Sequence, residues 1–459
     1  MQVVYERCCG IDVHKRTVVA CAIVPGADGQ AVKETRTFDT LTAHLEALAG
    51  WLQGLEVTHV AMESTGVYWK PVYNLLDGRF AILVVNAEHI KALAGRKTDV
   101  QDAERIADLL RHGLLKGSFI PSAELRALRD LTRYRTRLGD ERVSEINRVQ
   151  KVLEDANIKL ASVATDVMGV SGRAMLDQIV QGQADPAVLA ELARGRLREK
   201  QDLLQQALSG RVQAHHRFML AQHLSHIDFL EEAIARLDQE IAEQMRPFAA
   251  ALEAWDSLPG INQRIAEIVV AEIGADLAPF EDAAHLASWT GMCPGNNESA
   301  GKRYSGKTRK GSPWLRRALV EAAHGAARTK NKYFQALYRR LAARRGKQRA
   351  AMAVGHSLLV TGYYLITRQT KYEDLGGNYF DELWEYASVV ERKVLSQVAA
   401  GTLETSNEHA LAILCRRELL EVVNGVPRFQ VPLIARWVRE RSPFSAELRD
   451  EDTRSGKTL

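Results

Sequence analysis

The first 115 residues change their apolar period in a fixed order, and that order limits the folds open to them. "MQVVYERCCGIDVHK" begins with a strand over residues 3–9. "TVVACAIV" (17–24) makes a second, joined through a tight connection at His14, Lys15 and Arg16. "GADGQ" is a turn, and "VKETRTFDT" alternates with period two as a third strand. In "LTAHLEALAGWLQGL" the period changes to helical, with Leu41, Leu45, Leu48 and Leu52 on one face. "VTHVAMES" then reads as a buried strand, "VYWKPVYNLLDG" as a helix, "FAILVVNA" as another buried strand and "KTDVQDAERIADLL" as a helix.

A meander of three strands followed by alternating strands and helices is the order of an α/β RNase H-like fold, a mixed sheet flanked by helices. In such a sheet the first strand is central. Asp12 lies on it, Glu63 ends the fourth strand, and Asp99 and Asp102 lie on the helix that packs across the same edge. Four carboxylates from three distant segments repel one another unless cations neutralise them. Two Mg²⁺ ions a few ångströms apart would do so while holding both sides of a phosphodiester in line. Each acid also has a plainer explanation. Asp12 could end a strand, Glu63 could pair with Lys70, and Thr98 or Asp99 could cap the helix, where acids in the first turn suit the dipole.

The remaining chain is helical in pattern. Residues 121–250 form a helical and coiled-coil region: a helix from about Ser122 to Leu160, a break at Gly169, Gly172 and Gly182, and helices again from Pro186. Leu230, Ile234, Leu237, Ile241 and Met245 recur at coiled-coil spacing, too short a seam to favour an oligomer interface over an internal hairpin. Arg126, Arg129, Arg133, Arg135 and Arg137, with Tyr134, give this region either an RNA-contacting face or a solvated surface. A mainly α domain at 251–387 opens with Leu258-Pro259-Gly260-Ile261, either a helix-hairpin-helix turn whose amides approach a phosphate or a plain turn. "FEDAAHLASWTGMCPGNNESAGKRYSGKTRKGSPWLRRALVEAAHGA" follows as a loop bounded by helices. Residues 388–459 read as a helical extension with a frayed end.

Charge is concentrated in one place. The net charge is only +4, yet residues 295–350 hold sixteen Lys and Arg against Glu298 and Glu321, an electrostatic footprint for a polyanion. No run of 18 uncharged apolar residues points to a membrane, and the N-terminus lacks a signal-peptide pattern. Cys8, Cys9, Cys21, Cys293 and Cys415 form neither CxxC pairs nor zinc spacings, which fits a reducing cytoplasm.

The blocks "GIDVHK", "AMESTGVYW", "KTDVQDAERIADLL", "LPGI", "GMCPGNNESAGK" and "KGSPWLRRAL" occur in this order across roughly residues 7–380. Together they resemble the insertion-sequence transposases with a DEDD tetrad, the bridge-RNA-guided recombinases. The resemblance implies a RuvC-like domain at 1–120 in which Asp12, Glu63, Asp99 and Asp102 hold Mg²⁺, or Mn²⁺ in its place. It also implies a second domain whose serine, Ser299 here, attacks DNA to form a 5′-phosphoserine link. The implied partners are donor and target DNA, a structured guide RNA, and further copies of the chain as dimers pairing into tetramers. Lys302, Arg303, Lys307, Arg309, Lys310, Arg316 and Arg317 are then candidate nucleic-acid contacts beside the serine, with Arg126, Arg129 and Arg133 toward RNA. Two rivals remain: a stand-alone junction resolvase that uses the acids alone, and a non-catalytic nucleic-acid-binding protein.

Overall fold

The structure is a computed structural model that describes residues 2–64, 66–86, 99–293, 297–299, 302–305, 308, 310–329, 333–372, 387–403, 408–416, 419–423, 425–429 and 438. Side chains are not described at 99–100, 297–299, 302–305, 416, 421 and 423. The chain divides into two units, Met1–Ile120 and Pro121–Leu459.

The first unit contains β1 (Cys8–Val13), β2 (Thr17–Pro25), β3 (Ala31–Asp39), α1 (Thr42–Gly54), β4 (His59–Glu63), α2 (Trp69–Leu76), β5 (Ala81–Val85) and α3 (Asp99–Arg111). Its sheet has the order β3-β2-β1-β4-β5. β2 pairs antiparallel with β1 and β3, whereas β1–β4 and β4–β5 are parallel, giving the RNase H-like mixed sheet with β1 at its centre. Alternate residues of the central strands face opposite helix layers. Ile11, Ala20 and Met62 pack with Leu45, Leu48, Leu52 of α1 and Val72, Leu76 of α2. Cys8, Cys21, Ala61 and Val85 pack with Ala103, Ile106, Ala107 and Leu110 of α3.

Two strand assignments need correction. The first strand begins at Cys8 instead of residue 3. Val3 and Val4 are exposed, and the Val4 and Tyr5 amides donate to the Arg111 carbonyl at the end of α3 (2.9 and 3.1 Å). β5, read as wholly buried, lies at the sheet edge, so only Val84 and Val85 are buried.

The second unit is mainly helical. It opens with α4 (Ala123–Asp155), capped by Ser122, whose hydroxyl accepts from the Leu125 amide. The short helices α5 (Leu160–Val163), α6 (Val170–Val180), α7 (Pro186–Glu191) and α8 (Gln201–Leu208) lead to α9 (Ala214–Gln244). α4 and α9 form an antiparallel hairpin: Asp155 meets His216, Glu145 meets His223, and Leu138 packs on Leu230 and Ile234. The coiled-coil spacing is therefore used within the chain. Gly172 does not break a helix as its type suggested. It lies inside α6, where a Cβ would come within 2.1 Å of the Val167 carbonyl oxygen, so glycine permits a close turn there.

α10 (Ala249–Asp256), α11 (Gln263–Ile273), α12 (Ala283–Thr290), the hairpin β6 (Asn297–Ser299) and β7 (Lys302–Ser305), α13 (Pro313–Arg328), α14 (Tyr333–Arg345) and α15 (Lys347–Thr367) follow. The stretch read as one loop thus contains α12, a β-hairpin and most of α13. The side chain of Asp282 caps α12 through the His285 amide (2.6 Å). α15 is long and apolar enough, by length and composition, to cross a membrane. Its Val354, Leu358, Leu359 and Leu365 are buried instead, and Gly362 lets the Trp255 ring lie directly against its backbone. α16 (Val389–Ala400), α17 (Glu408–Arg416), β8 (Leu420–Val423) and β9 (Val426–Phe429) share a small core with Val438. A β-hairpin thus lies in the region read as helical.

Candidate nucleic-acid cleavage site

Strand register makes two of the four acids neighbours. Cys8, Cys9, Gly10 and Ile11 of β1 lie opposite His59, Val60, Ala61 and Met62 of β4 in parallel pairing. Asp12 and Glu63 are the next residues on each strand, side by side at the C-terminal ends of neighbouring strands, where α/β sheets commonly bind ligands. Ile11 and Met62 belong to the α1/α2 layer. Alternation therefore turns Asp12 and Glu63 to the other face, shared with Cys8, Ala61 and α3.

Gly10 sets how closely α3 lies on that face. A Cβ there would come within 2.4 Å of the Ala103 carbonyl oxygen and 2.2 Å of the Ala107 nitrogen. Because Arg111 meets residues 4–5 and Ala107 meets Gly10, α3 runs antiparallel to β1, and its N-terminal turn comes over the strand ends. Asp99 begins this helix and Asp102 is half-buried one turn on. Asp99 is described as backbone only, and Thr98, Lys97 and the strand-to-helix connection fall outside the described residues.

Asp12 is only 9% exposed, and its Oδ2 lies 3.1 Å from His14 Nε2. The fold thus keeps an acid beside a cation-capable group at this sheet edge. Asp12 and Glu63, two carboxylates on one sheet face, are oxygen donors of the kind that a hard divalent cation such as Mg²⁺ or Mn²⁺ takes. The sequence reading missed the His14 pairing, although the i, i+2 spacing in "GIDVHK" is its signal. It also missed Gly10, a small residue two before Asp12 on the same face.

Ser299 ends β6 opposite Lys302, and Glu298 lies opposite Arg303. The expected serine loop is therefore a short hairpin with an irregularity between Asn297 and Glu298. Lys307 and Arg309 lie outside the described residues. Lys310 is exposed and Arg316 half-buried. Arg317 makes a two-pronged pair with Asp140 (2.6 and 2.5 Å), which holds that carboxyl below its ordinary range.

The candidate RNA face needs correction at its centre. Arg129 donates to the carbonyls of Ala271 (3.1 Å) and Glu272, and burial pushes its pKa down to about 10. Arg133 grips both carboxylate oxygens of Glu272 (2.7 and 2.9 Å), and Glu272 is 1% exposed. Arg135, 4% exposed, joins Asp238 and Glu267 at 2.8 and 2.6 Å. Arg126 donates to the Pro121 carbonyl (2.9 Å). The guanidinium groups of Arg129, Arg133 and Arg135 tie α4 to α9 and α11, so most of this arginine row is engaged in packing. Gly260 likewise serves packing. With φ +86, it lies against α13, where a Cβ would come within 2.3 Å of both Ala322 O and Ala326 N. The amide-phosphate alternative for "LPGI" is the less supported one.

Residues 9–158 match a transposase family, the DEDD transposases of IS110 type, and residues 253–339 match the family described as transposase IS116/IS110/IS902. The first match contains all four acids and the second contains Ser299. A probable family 20 transposase of Pseudomonas aeruginosa is 25% identical over 324 residues, which cover 68% of this chain and 85% of that protein. With both matches in the order expected from the sequence blocks, and an RNase H-like sheet under the first, the chain belongs to the IS110 family of transposases, enzymes that cut and join DNA.

Proposed function

We propose that this transposase cuts DNA with Ser299 as nucleophile and with Asp12, Glu63, Asp99 and Asp102 as ligands for divalent cations. The parallel register that sets Asp12 beside Glu63 beneath the first turn of α3 carries this reading. When bound, the cations supply charge neutralisation for a phosphodiester and polarise its oxygens. The four carboxylates bind them, and His14 orients Asp12.

The serine reaction balances without a further cofactor. The Ser299 Oγ attacks phosphorus and loses its proton. The bond to the 3′ oxygen breaks, and that oxygen leaves as a 3′ hydroxyl after taking up a proton. The product is a 5′-phosphoserine ester, and attack by another 3′ hydroxyl reverses the step and rejoins DNA. Each exchange replaces one phosphodiester by another, so bond energy is retained. An alcohol needs its proton withdrawn and the developing charge stabilised. Lys302 pairs in register with Ser299 across the hairpin and Arg303 follows it, so two cationic residues neighbour the serine along the strands.

Donor and target choice falls, on this reading, to a structured RNA that pairs with both DNAs, the protein working as dimers that join into tetramers. The family resemblance supports this. Incubating the chain with 3′-labelled DNA and Mg²⁺, quenching in detergent and mapping the protein-DNA adduct tests the chemistry. An adduct on Ser299, lost in Ser299→Ala and in Asp12→Asn, is expected. Full cleavage by Ser299→Ala would make the enzyme a resolvase-like hydrolase, and cleavage that survives both substitutions and chelator would remove the reading altogether. Copurification of one discrete structured RNA tests the guide.

A further inference from the structure

From Ala322 to Tyr372 the chain has eleven Lys and Arg and no Asp or Glu. Much of this charge meets at one elbow, where Gly346, with φ +83, joins the end of α14 to the start of α15. Residues 343–349 are all exposed, including Arg344, Arg345, Lys347 and Arg349, and Arg339 is exposed one turn earlier. Among the described residues none of these five forms a salt bridge. By contrast Arg133, Arg135, Arg142, Arg173, Arg264 and Arg317, on other helices, have carboxylate partners.

The position of two of these cations works against helix stability. Arg344 and Arg345 end α14, where positive charge suits the dipole. Lys347 and Arg349 stand in the first turn of α15, which has no acid and no side-chain cap. Cations at that end are repelled by the helix dipole and by one another. A local choice that costs stability marks a site kept for another purpose.

We infer that the α14–α15 elbow is a binding surface for the phosphate backbone of duplex DNA. The inference rests on the transposase reading for its choice of polyanion. The elbow offers cations and no exposed aromatic or amide side chain between Ala343 and Arg349 except Gln348, so it grips backbone without reading bases. It lies apart in sequence from the serine hairpin and from the arginine row of α4.

The test is salt-dependent binding of a duplex of about 30 base pairs to the full chain, in chelator so that no cutting occurs. Replacing Arg344, Arg345, Lys347 and Arg349 together by Gln is expected to reduce the log–log salt slope by about 3 to 4 and weaken binding at about 0.1 M salt on the order of a hundredfold or more. Arg142→Gln, which breaks a paired arginine, should leave the slope unchanged. The double variant Lys347→Glu with Arg349→Glu should bind DNA more weakly while unfolding at the same or a higher temperature.

A slope within one unit of the parent's for the fourfold variant would overturn the inference. So would a lower unfolding temperature for the double variant with DNA affinity unchanged. A loss confined to an RNA duplex of equal length would overturn it in favour of guide contact. Binding in chelator does not depend on Ser299, so failure here leaves the cleavage chemistry standing, and an absent serine adduct leaves the elbow standing.

Discussion

Gly10 lies so close beneath Ala107 that a methyl group on it would sit 2.2 Å from the Ala107 backbone nitrogen. The obstacle is helix backbone, which cannot rotate away as a side chain would. α3 must therefore lift or slide, carrying Asp102 with it, while Asp12 and Glu63 stay on their strands. Gly10→Ala is expected to cost at least about 1–3 kcal/mol, the usual cost of overpacking a core. It should also abolish metal-dependent DNA cleavage in the fraction that remains folded. Thermal unfolding together with a cleavage assay on the folded material checks this, and parent-like values in both would show that α3 is not held by this contact.

The α4–α9 hairpin should weaken in acid. Burial alone would raise the Glu145 pKa, but the His223 hydrogen bond (2.8 Å) and the charges of Arg148 and His223 outweigh it and hold Glu145 below the ordinary glutamate range. A carboxylate depressed in the folded state adds stability above its unfolded pKa and loses it as pH falls through the folded value. The urea midpoint of the chain should therefore fall between about pH 5 and pH 3. Glu145→Gln should start from a lower midpoint and show a flatter fall, and equal pH profiles for the two proteins would contradict the assignment.

Glu272 decides whether the α4 arginines are structural. Its carboxylate, 1% exposed, accepts from Arg133 and from the Ser312 hydroxyl (3.1 Å), and Arg129 holds its carbonyl. Removing one member leaves buried charge without its partner, which typically costs about 3–5 kcal/mol. Glu272→Ala and Arg133→Gln should both lower the denaturation midpoint by that order, and the double variant should cost less than the sum of the two. A stable Arg133→Gln protein with reduced RNA affinity would restore the nucleic-acid role.

The N-terminal sheet was legible because its residues alternate. The chain from Thr17 to Val85 changes period at nearly every boundary, and β1 at the centre follows from the order of elements. The start of β1 was misread because Val3 and Val4 are apolar, and nothing in the sequence shows that they run out to meet the Arg111 carbonyl. Asp12 and Glu63 could be placed on neighbouring strands because each follows a buried apolar run whose alternation helps to fix the register. The arginines were harder. Arg133 and Glu272 are 139 residues apart, and periodicity carries no information on such pairs. Gly260 presents the same problem, since a glycine needed for an approaching helix and one needed for a phosphate look alike in sequence.

The cysteines offer a direct report on the seating of α3. Burial pushes Cys8 up to about 12, with Asp108 adding to it and Arg111 opposing, and burial raises Cys9 and Cys21 as well. Alkylation proceeds through the thiolate, so these three should stay unlabelled by iodoacetamide near pH 8 in the folded chain. Cys293 and Cys415, both half-buried, should react first. Cys8 is also tied to α3, its Sγ lying 3.7 Å from the Ala107 carbonyl to which it donates. If α3 lifts in Gly10→Ala, Cys8 should become reactive while Cys9, on the opposite face with α1 and α2, stays protected. Peptide mapping of the labelled protein separates the two sites. Equal labelling of Cys8 and Cys9 would mean that the whole sheet opens rather than the helix alone, and a protected Cys8 would mean that α3 absorbs the methyl group without leaving the sheet.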